Sequence, residues 1–416
     1  MKFFHIEKKL VIYNYLNKLN LIKQKMHEII WFNYNVKVLC ISIISFATIF
    51  ISCGTKKSNE INSSIPIFDL TNISKNEQSL KLSEIAISID YVPITTTDSS
   101  ILGSIYKIIK KESFFYIHSK DAIFQFNSKG DMLGKLEKTG KGPGEYIVIK
   151  DFDVNPSEQL IAILTWGKIL FYNLNGQFYK SIKHDARFID FVDDEKILTY
   201  QSNIRGNGSY SHIILDINGD TIATFLNKFQ FDLINKPLGL PSFEYLRFRY
   251  NDELFVSEIQ DDTLFKVTNE NTLLPHSIFY TGDKRLTAIA RATGAKLFKH
   301  LKDYIYLTRL METSRYIFYS DQMRNQIYDK KDDITYDFTR ISNDIDGGLD
   351  FQPRFAFNKR YIITTIDAFK FKEHVKTQSF EDIEVKDMEG KRRIEQLANG
   401  LSDEDNPVIM IVKLKE

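Results

Sequence analysis

The sequence predicts an all-β fold: a six-bladed β-propeller of four-stranded antiparallel blades, with short helical insertions and an N-terminal signal segment. Three observations predict it. A glycine hairpin recurs at the spacing of a propeller blade, six pairs of apolar strands divide the chain, and only two stretches have helical periodicity. The length of 416 residues leaves the number of domains open, because all-β folds often run long as single domains.

The recurring hairpin has six residues and occurs at 126–131, 172–177 and 215–220 without gaps. Its glycine supplies the positive φ that a tight turn requires, and the neighbouring Asn and Asp residues favour the same geometry. The three glycines are 46 and 43 residues apart. This spacing is typical of one four-stranded propeller blade.

Six units of two apolar strands around a short polar turn extend this pattern. They lie at 112–126, 159–173, 195–217, 252–267 and 314–329, with 359–366 and 406–415 forming the sixth. Repeated sheets must pack on their neighbours, and closing them into a ring protects their edges. We expect the early segments 64–70 and 87–94 to join the C-terminal strand in one blade and to seal this ring.

Two stretches depart from the β pattern. Residues 284–302 and 381–405 carry apolar residues at helical spacing. Since insertions commonly lie in the loops of a scaffold, we expect both to be excursions on one face of the propeller rather than a functional lid.

The N-terminal region indicates export. Residues 38–52 carry no charge, which matches the core of a signal peptide and is short for a membrane-spanning helix, the alternative interpretation. The residues before Cys53 resemble a bacterial lipobox, which implies that Cys53 is the site of lipid attachment. We therefore divide the chain into a leader and lipoprotein signal peptide (1–52, with a start possible at Met26), a polar tether (53–64) and the propeller (65–416).

Composition excludes several chemistries from the body. The only cysteines are Cys40 and Cys53, so a chain processed at Cys53 contains no disulfide, thiolate metal site or cysteine nucleophile downstream of it. The leader holds seven Lys and two Glu, which leaves 48 basic and 52 acidic residues and a net charge of −4. A mildly acidic body lacks the basic face that phosphate backbones require, so we expect no nucleic-acid partner.

Residues 138–146, KTGKGPGEY, follow the first glycine hairpin, and it is this segment that makes the chain recognisable. They resemble a signature of the six-bladed β-propeller lipoproteins of Bacteroidetes. Residues 405–415 are similar to the closing strand of that family, and 261–265 to one of its inner blade strands. The resemblance covers nearly the whole chain from residue 65. It implies the fold and an envelope location, with a lipid anchor in the outer membrane that faces the periplasm or the surface, and it implies no activity.

Two groups of residues are candidates for ligand binding. Three glycines in the 138–146 segment form a loop in which backbone N–H groups and Lys141 could hold an anion. A rigid turn pinned by Glu145 and Tyr146 is the favoured interpretation, because the loop lacks the context of a P-loop. The second group consists of Arg205, Arg247 and Arg249. Arg247 and Arg249 alternate with aromatic residues at 246–250, and the group would form a binding site if its members met Trp166 at the mouth of the tunnel.

Four aspartates are candidates for a metal site: Asp151, Asp153, Asp261 and Asp262. Carboxylates that converge at a propeller tunnel can bind Ca²⁺, although Asp is also common in turns for structural reasons. No catalytic residue is assigned, since the chain has no GxSxG or HExxH motif and its histidines are scattered singly.

The leading interpretation is therefore an envelope lipoprotein that acts as a binding or scaffold module. One propeller face would hold a glycan, peptide or protein ligand, the membrane would be contacted through the lipid, and no cofactor would be needed. The alternative is a Ca²⁺-dependent hydrolase or lactonase of the six-bladed type, which requires inward carboxylates from different blades within coordination distance.

Overall fold

The computed structural model describes residues 65–71, 78–111, 113–237 and 244–416. Cys53, the leader and the tether lie outside these residues. Three strands and one short helix precede the first complete blade: β1 (Ile67–Asp69), β2 (Gln78–Lys81), α1 (Leu82–Ile85) and β3 (Ala86–Pro93).

The chain then builds its blades in order, each beginning with the strand nearest the central tunnel. Blade 1 consists of β4 (Ile105–Lys110), β5 (Phe114–Ser119), β6 (Ala122–Asn127) and β7 (Met132–Leu136). Blade 2 consists of β8 (Asp151–Val154), β9 (Leu160–Thr165), β10 (Lys168–Asn173) and β11 (Phe178–Lys183). Blade 3 consists of β12 (Phe188–Phe191), β13 (Lys196–Tyr200), β14 (Tyr210–Asp216) and β15 (Thr221–Leu226).

The second half of the ring repeats this plan. Blade 4 consists of β16 (Tyr245–Tyr250), β17 (Glu253–Glu258), β18 (Thr263–Val267) and β19 (Leu273–Tyr280). Blade 5 consists of β20 (Arg309–Glu312), β21 (Tyr316–Ser320), β22 (Asn325–Asp329) and β23 (Ile334–Ser342). Blade 6 consists of β24 (Phe355–Phe357), β25 (Tyr361–Ile366) and β26 (Val408–Leu414), with β3 as its fourth strand. The predicted six-bladed propeller is confirmed, and the six predicted units are the second and third strands of the blades.

Ring closure is confirmed in part. β3 pairs with β26 from Pro93 opposite Val408 to Ala86 opposite Leu414, as expected for residues 87–94. The expectation for residues 64–70 is wrong, because β1 pairs in parallel with β19 at the outer edge of blade 4. Blade 6 is complete once β3 occupies its outer position. β1 and β2 instead cover the outer edges of blades 4 and 5, which would otherwise present unpaired backbone groups.

The core lies between the blades. Successive residues of a strand point to opposite faces of its sheet, so each blade contributes to two apolar clusters. In β9, Ile161 and Ile163 pack towards blade 1, whereas Ala162 and Leu164 pack towards blade 3. Corresponding clusters fill the other four junctions between neighbouring blades. The ring is thus held by six apolar interfaces rather than by one central core.

Both predicted helical stretches are confirmed, with adjusted bounds. The first contains α2 (Ala288–Ala292) and three 3₁₀ segments (Gly282–Lys284, Gly294–Lys299 and Leu301–Asp303). The second insertion begins earlier than expected, with α3 (Ala368–Val375), which was not predicted, and continues with α4 (Gln378–Asp382) and α5 (Met388–Gly400). The first leads into β20, and the second joins β25 to β26. Because neighbouring strands are antiparallel, both insertions lie at the end of the propeller where the innermost strands start, here called the strand-start face.

The repeated glycine hairpins join the third and fourth strands of blades 1 to 3, and each contacts the preceding blade. Gly130, Gly176 and Gly219 have φ values of +90°, +73° and +97°. A Cβ atom at Gly130 would lie 2.1 Å from the carbonyl oxygen of Pro93, while one at Gly176 would lie 3.7 Å from Leu136 Cδ1. The hairpin glycines therefore serve the contact between blades as well as the turn.

This difference predicts unequal costs for two equivalent substitutions. Gly176→Ala adds only the strain of a positive φ, about 1–2 kcal/mol. Gly130→Ala adds the same strain and a collision with the Pro93 carbonyl oxygen. We therefore expect it to lower the free energy of unfolding by about 3 kcal/mol in total. Urea denaturation of the two variants measures the difference. Equal losses would show that the Gly130 contact has no special role in joining blade 6 to blade 1.

Candidate functional site

The centre of the propeller is crossed by two parallel sets of ion pairs, here called the tunnel ladder: Asp151 and Asp153 from β8, and Arg247 and Arg249 from β16. Arg247 Nη1 lies 2.7 Å from Asp151 Oδ2, and Arg249 Nη2 lies 3.2 Å from Asp153 Oδ2. A step of two residues along β16 matches a step of two along β8. The two innermost strands therefore run in the same direction, and blade 4 reaches across the tunnel to blade 2.

The tunnel ladder also satisfies the free edge of blade 3. Asp151 Oδ2 accepts a hydrogen bond from Ile189 N at 2.9 Å, and Asp153 Oδ2 accepts one from Phe191 N at 2.7 Å. Arg247 donates to the carbonyl oxygen of Ile189 at 3.1 Å, and Arg249 donates to that of Phe191. Buried backbone groups need such partners, and the inner edge of β12 has no neighbouring strand to supply them.

Two further charges complete the electrostatics. Asp190 Oδ2 lies 3.0 Å from Arg247 Nη1, and Lys107 Nζ lies 3.2 Å from Asp151 Oδ1. Burial disfavours ionised Asp151, but the charges of Arg247 and Lys107 outweigh it and lower the pKa of this carboxyl. Burial raises the pKa of Asp190 to about 6, against the opposing effect of Arg247. The acidic side chains of the tunnel are thus matched by fixed cations.

This arrangement bears on the predicted metal ligands. Carboxylates from blades 2 and 3 do converge, but they converge on a guanidinium group. Asp261 and Asp262 lie elsewhere, in the turn between β17 and β18, where Asp262 Oδ1 accepts a hydrogen bond from Thr281 Oγ1 at 2.7 Å and Asp261 Oδ1 accepts one from Thr263 N at 3.0 Å. They line a small cavity with Glu258. The described part of the chain contains no group of three or more His, Cys, Asp or Glu side chains placed to hold a metal ion.

The glycine-rich loop connects blade 1 to blade 2; Glu145 forms a bond inside the loop, and Tyr146 ties the loop to blade 1. Glu145 Oε2 accepts a hydrogen bond from Gly142 N at 2.7 Å, and a Cβ atom at Gly140 would collide with the same carboxylate. The buried Tyr146 donates its hydroxyl to the carbonyl oxygen of Asp121 at 2.9 Å. Lys141 is exposed and makes no ion pair within the described residues. The contacts agree with the interpretation as a pinned turn.

Arg205 and Trp166 do not join Arg247 and Arg249. Arg205 is exposed in the loop between β13 and β14. Trp166 lies at the turn between β9 and β10, with 66% of its surface exposed, and Lys150 Nζ lies 4.7 Å from the centre of its ring. Both residues belong to the strand-start face, whereas the two arginines fill the tunnel.

A second buried ion-pair group was not predicted. Glu244 is fully buried and forms ion pairs with Arg187 and Arg291. Arg291 Nη2 lies 3.1 Å from Glu244 Oε1. Arg291 also donates to Gln260 Oε1 at 3.0 Å and to the carbonyl oxygen of Asn203 at 2.9 Å. Because Arg291 belongs to α2, these bonds fasten the first helical insertion to blades 3 and 4. The sequence signal was weak, since an arginine in a short helix is normally exposed.

Ser211, His212 and Glu258 form a buried polar cluster between blades 3 and 4. Ser211 Oγ lies 2.9 Å from His212 Nδ1, and Glu258 Oε1 lies 3.7 Å from the same nitrogen. A catalytic triad needs the serine and the carboxylate on different ring nitrogens, so this cluster lacks that geometry. Burial lowers the pKa of His212 to about 3 and raises that of Glu258 to about 7.

Comparison with known proteins gives a family and a fold. A model described as a domain of unknown function, DUF4934, matches residues 65–413. No curated protein matches the chain. The crystal structure of a candidate exported protein from Bacteroides fragilis is similar, with 18% identity and a TM-score of 0.65 over 85% of this chain and 100% of that one. A DUF4221 member from Bacteroides vulgatus has 12% identity and a TM-score of 0.43 over 79% of this chain and 97% of that one.

The tunnel ladder predicts a large cost for removing one of its cations. Arg247→Met leaves Asp151 and Asp190 without the guanidinium group they share. We expect the free energy of unfolding to fall by about 3–5 kcal/mol at neutral pH. The control is Arg392→Met at an exposed position in α5, which should change the free energy of unfolding by no more than about 0.5 kcal/mol. Urea denaturation compares the variants. A loss no larger than that of the control would contradict a stabilising role for the ladder.

The raised pKa of Glu258 predicts a pH-dependent variant. Between the ordinary pKa of 4.5 and about 7 the folded state holds a proton that the unfolded state releases, so wild-type stability falls as the pH rises through this interval. Glu258→Gln removes the ionisation and should stabilise the protein at pH 8 by up to about 3 kcal/mol, a gain that vanishes towards pH 4.5.

Denaturation midpoints of wild type and Glu258→Gln across that pH range measure the effect. The matched control is Glu253→Gln on the same strand, whose partly exposed ion pair with Lys266 should contribute no more than about 1 kcal/mol to the free energy of unfolding. A gain from Glu258→Gln that is the same at every pH would rule out ionisation of this carboxyl as the cause.

Proposed function

Since the chain belongs to the DUF4934 family, whose description assigns no function, we propose from its own residues that it is an extracytoplasmic, lipid-anchored binding module. Its ligand would be a glycan, a peptide or another protein, held by the strand-start face. The mature body carries a net charge of −4, which argues against nucleic acid as the partner.

The location is supported by the N-terminal sequence. The uncharged segment 38–52 and the following Cys53 match the order of a signal peptide and a lipidated cysteine. No helix in the described ranges has the length and apolar character needed to span a bilayer. The similar Bacteroides fragilis protein is itself named as a candidate exported protein. The signal segment and Cys53 favour attachment through a lipid, and we propose the outer membrane as the site of that anchor.

The observation that carries the binding proposal is the occupied tunnel. A Ca²⁺-dependent hydrolase of the propeller type needs free inward carboxylates, whereas Asp151, Asp153 and Asp190 lie against Lys107, Arg247 and Arg249. Charged side chains that pair within the tunnel stabilise the innermost strands. We therefore place ligand binding on the outer surface of the propeller.

The strand-start face offers such a surface. It carries both helical insertions and several exposed apolar side chains on different loops. The most exposed of these side chains are Trp166, Ile234, Ile289, Phe298 and Met323, each with at least 66% of its surface exposed. Apolar groups spread over a rigid face are typical of an interaction surface.

The variant Cys53→Ala tests both the lipid anchor and the metal-free binding module. Wild type should fractionate with membranes, and Cys53→Ala should be soluble, because the lipid supplies the membrane affinity. Purified Cys53→Ala protein should contain no stoichiometric metal, and its melting temperature should be the same with Ca²⁺ and with a chelator. A ligand that binds only the folded state would raise that temperature.

Each part has its own contradictory result. Membrane association of Cys53→Ala equal to that of wild type would refute lipid anchoring at this residue. A stoichiometric metal together with a lower melting temperature on chelation would refute the binding module and favour the hydrolase.

A further inference from the structure

We propose that the mouth of the tunnel on the strand-start face binds an oxyanion, the carboxylate or phosphate group of a small ligand, through Arg309 and Arg354. The proposal rests on the binding function above and assigns the chemical class of one ligand group. It concerns residues that neither the glycine-rich loop nor the tunnel ladder includes.

The two arginines stand at equivalent places on adjacent blades. Arg309 is the first residue of β20, and Arg354 immediately precedes β24. Both strands are the innermost of their blades and contact each other. Since innermost strands share one direction, the two side chains emerge at the same end of the tunnel.

Arg354 is held in position by neighbouring blades. Its Nη1 donates to Thr365 Oγ1 at 3.1 Å within blade 6, and its Nη2 donates to the carbonyl oxygen of Ile105 at 3.0 Å in blade 1. The guanidinium group is thus oriented before any ligand arrives. An oriented group loses less conformational entropy on binding, which favours affinity.

Neither arginine is neutralised. Arg247 and Arg249, the other arginines of the innermost strands, each pair with an aspartate. By contrast, no carboxylate among the described residues lies within ion-pair distance of Arg309 or Arg354, and the side chain of Arg309 makes no hydrogen bond to them. Two positive charges at the rim of the tunnel therefore lack the partner that the rest of the tunnel provides.

The surroundings favour an anion here. The side chains of Arg309 and Arg354 are exposed, so a ligand can reach them. Partial burial, and then the charge of Arg354, lower the pKa of Arg309. Burial also lowers the pKa of Arg354, against a smaller effect of Asp367. Two like charges held side by side attract a counter-ion. Guanidinium groups bind carboxylate and phosphate through paired hydrogen bonds, so an oxyanion fits these residues.

The test uses inorganic phosphate and succinate as probes, each compared with sodium chloride at the same ionic strength. We expect both probes, or the one whose chemistry matches the natural ligand, to raise the melting temperature of the protein and to bind in isothermal titration. Arg309→Gln and Arg354→Gln should each weaken that binding, and the double variant should weaken it about tenfold or more. The control is Arg392→Gln in α5, which alters an exposed arginine outside the candidate binding residues and should leave the affinity unchanged.

A second readout separates lost binding from lost folding. Without probe, Arg309→Gln should melt at or above the wild-type temperature, because it removes a cation that has no partner. Stabilisation by phosphate alone assigns a phosphorylated ligand, and stabilisation by succinate alone assigns a carboxylated one.

Two results would overturn the site. One is the absence of any shift with either probe. The other is equal binding by wild type and the double variant, which would mean an adventitious ion only. Neither result touches the broader binding proposal, which fails instead through the metal and chelator measurements.

Discussion

The innermost strand of each blade faces a structural problem on which the rest of this propeller depends. Its inner edge has no neighbouring strand, yet its backbone groups are enclosed by the ring. On β12 the solution is explicit: aspartates of blade 2 accept the N–H groups of Ile189 and Phe191, and arginines of blade 4 donate to their carbonyl oxygens. The same charged side chains thus supply hydrogen-bond partners to the backbone of blade 3 and link blades 2 and 4 across the tunnel.

These central bonds complement the apolar packing between neighbours. Each blade shares a cluster of buried side chains only with the blades beside it, so apolar contacts connect the ring around its circumference. The tunnel ladder instead connects blades 2, 3 and 4 across the centre. Closure by β3 completes the circumference, because it joins residues near the start of the body to its last strand. The edges of the outer strands are handled separately, by β1 and β2.

Periodicity in the sequence was enough to predict the blades. Alternating apolar strands and glycine turns are local signals, and each predicted unit became the middle of a blade. The partner of β1 was not predictable in the same way, because a three-residue strand can cover any outer edge. The tunnel ladder was harder still. The sequence makes Asp151 and Asp153 candidates for a metal site and Arg247 and Arg249 candidates for ligand binding. Only the closed ring shows that their strands, 96 residues apart, face each other.

The ladder also limits where this protein can hold a ligand. A cation that entered between Asp151 and Asp153 would have to displace two guanidinium groups, leaving them and the carbonyl oxygens of Ile189 and Phe191 without partners. Unpaired buried charges are costly, so a metal and the ladder exclude each other. An anion meets the opposite condition at the rim, where Arg309 and Arg354 already lack a counter-charge. An anion bound there neutralises the charges of the two arginines and breaks no bond of the tunnel ladder. The same fold can therefore keep a rigid centre and bind a ligand at the end of its tunnel.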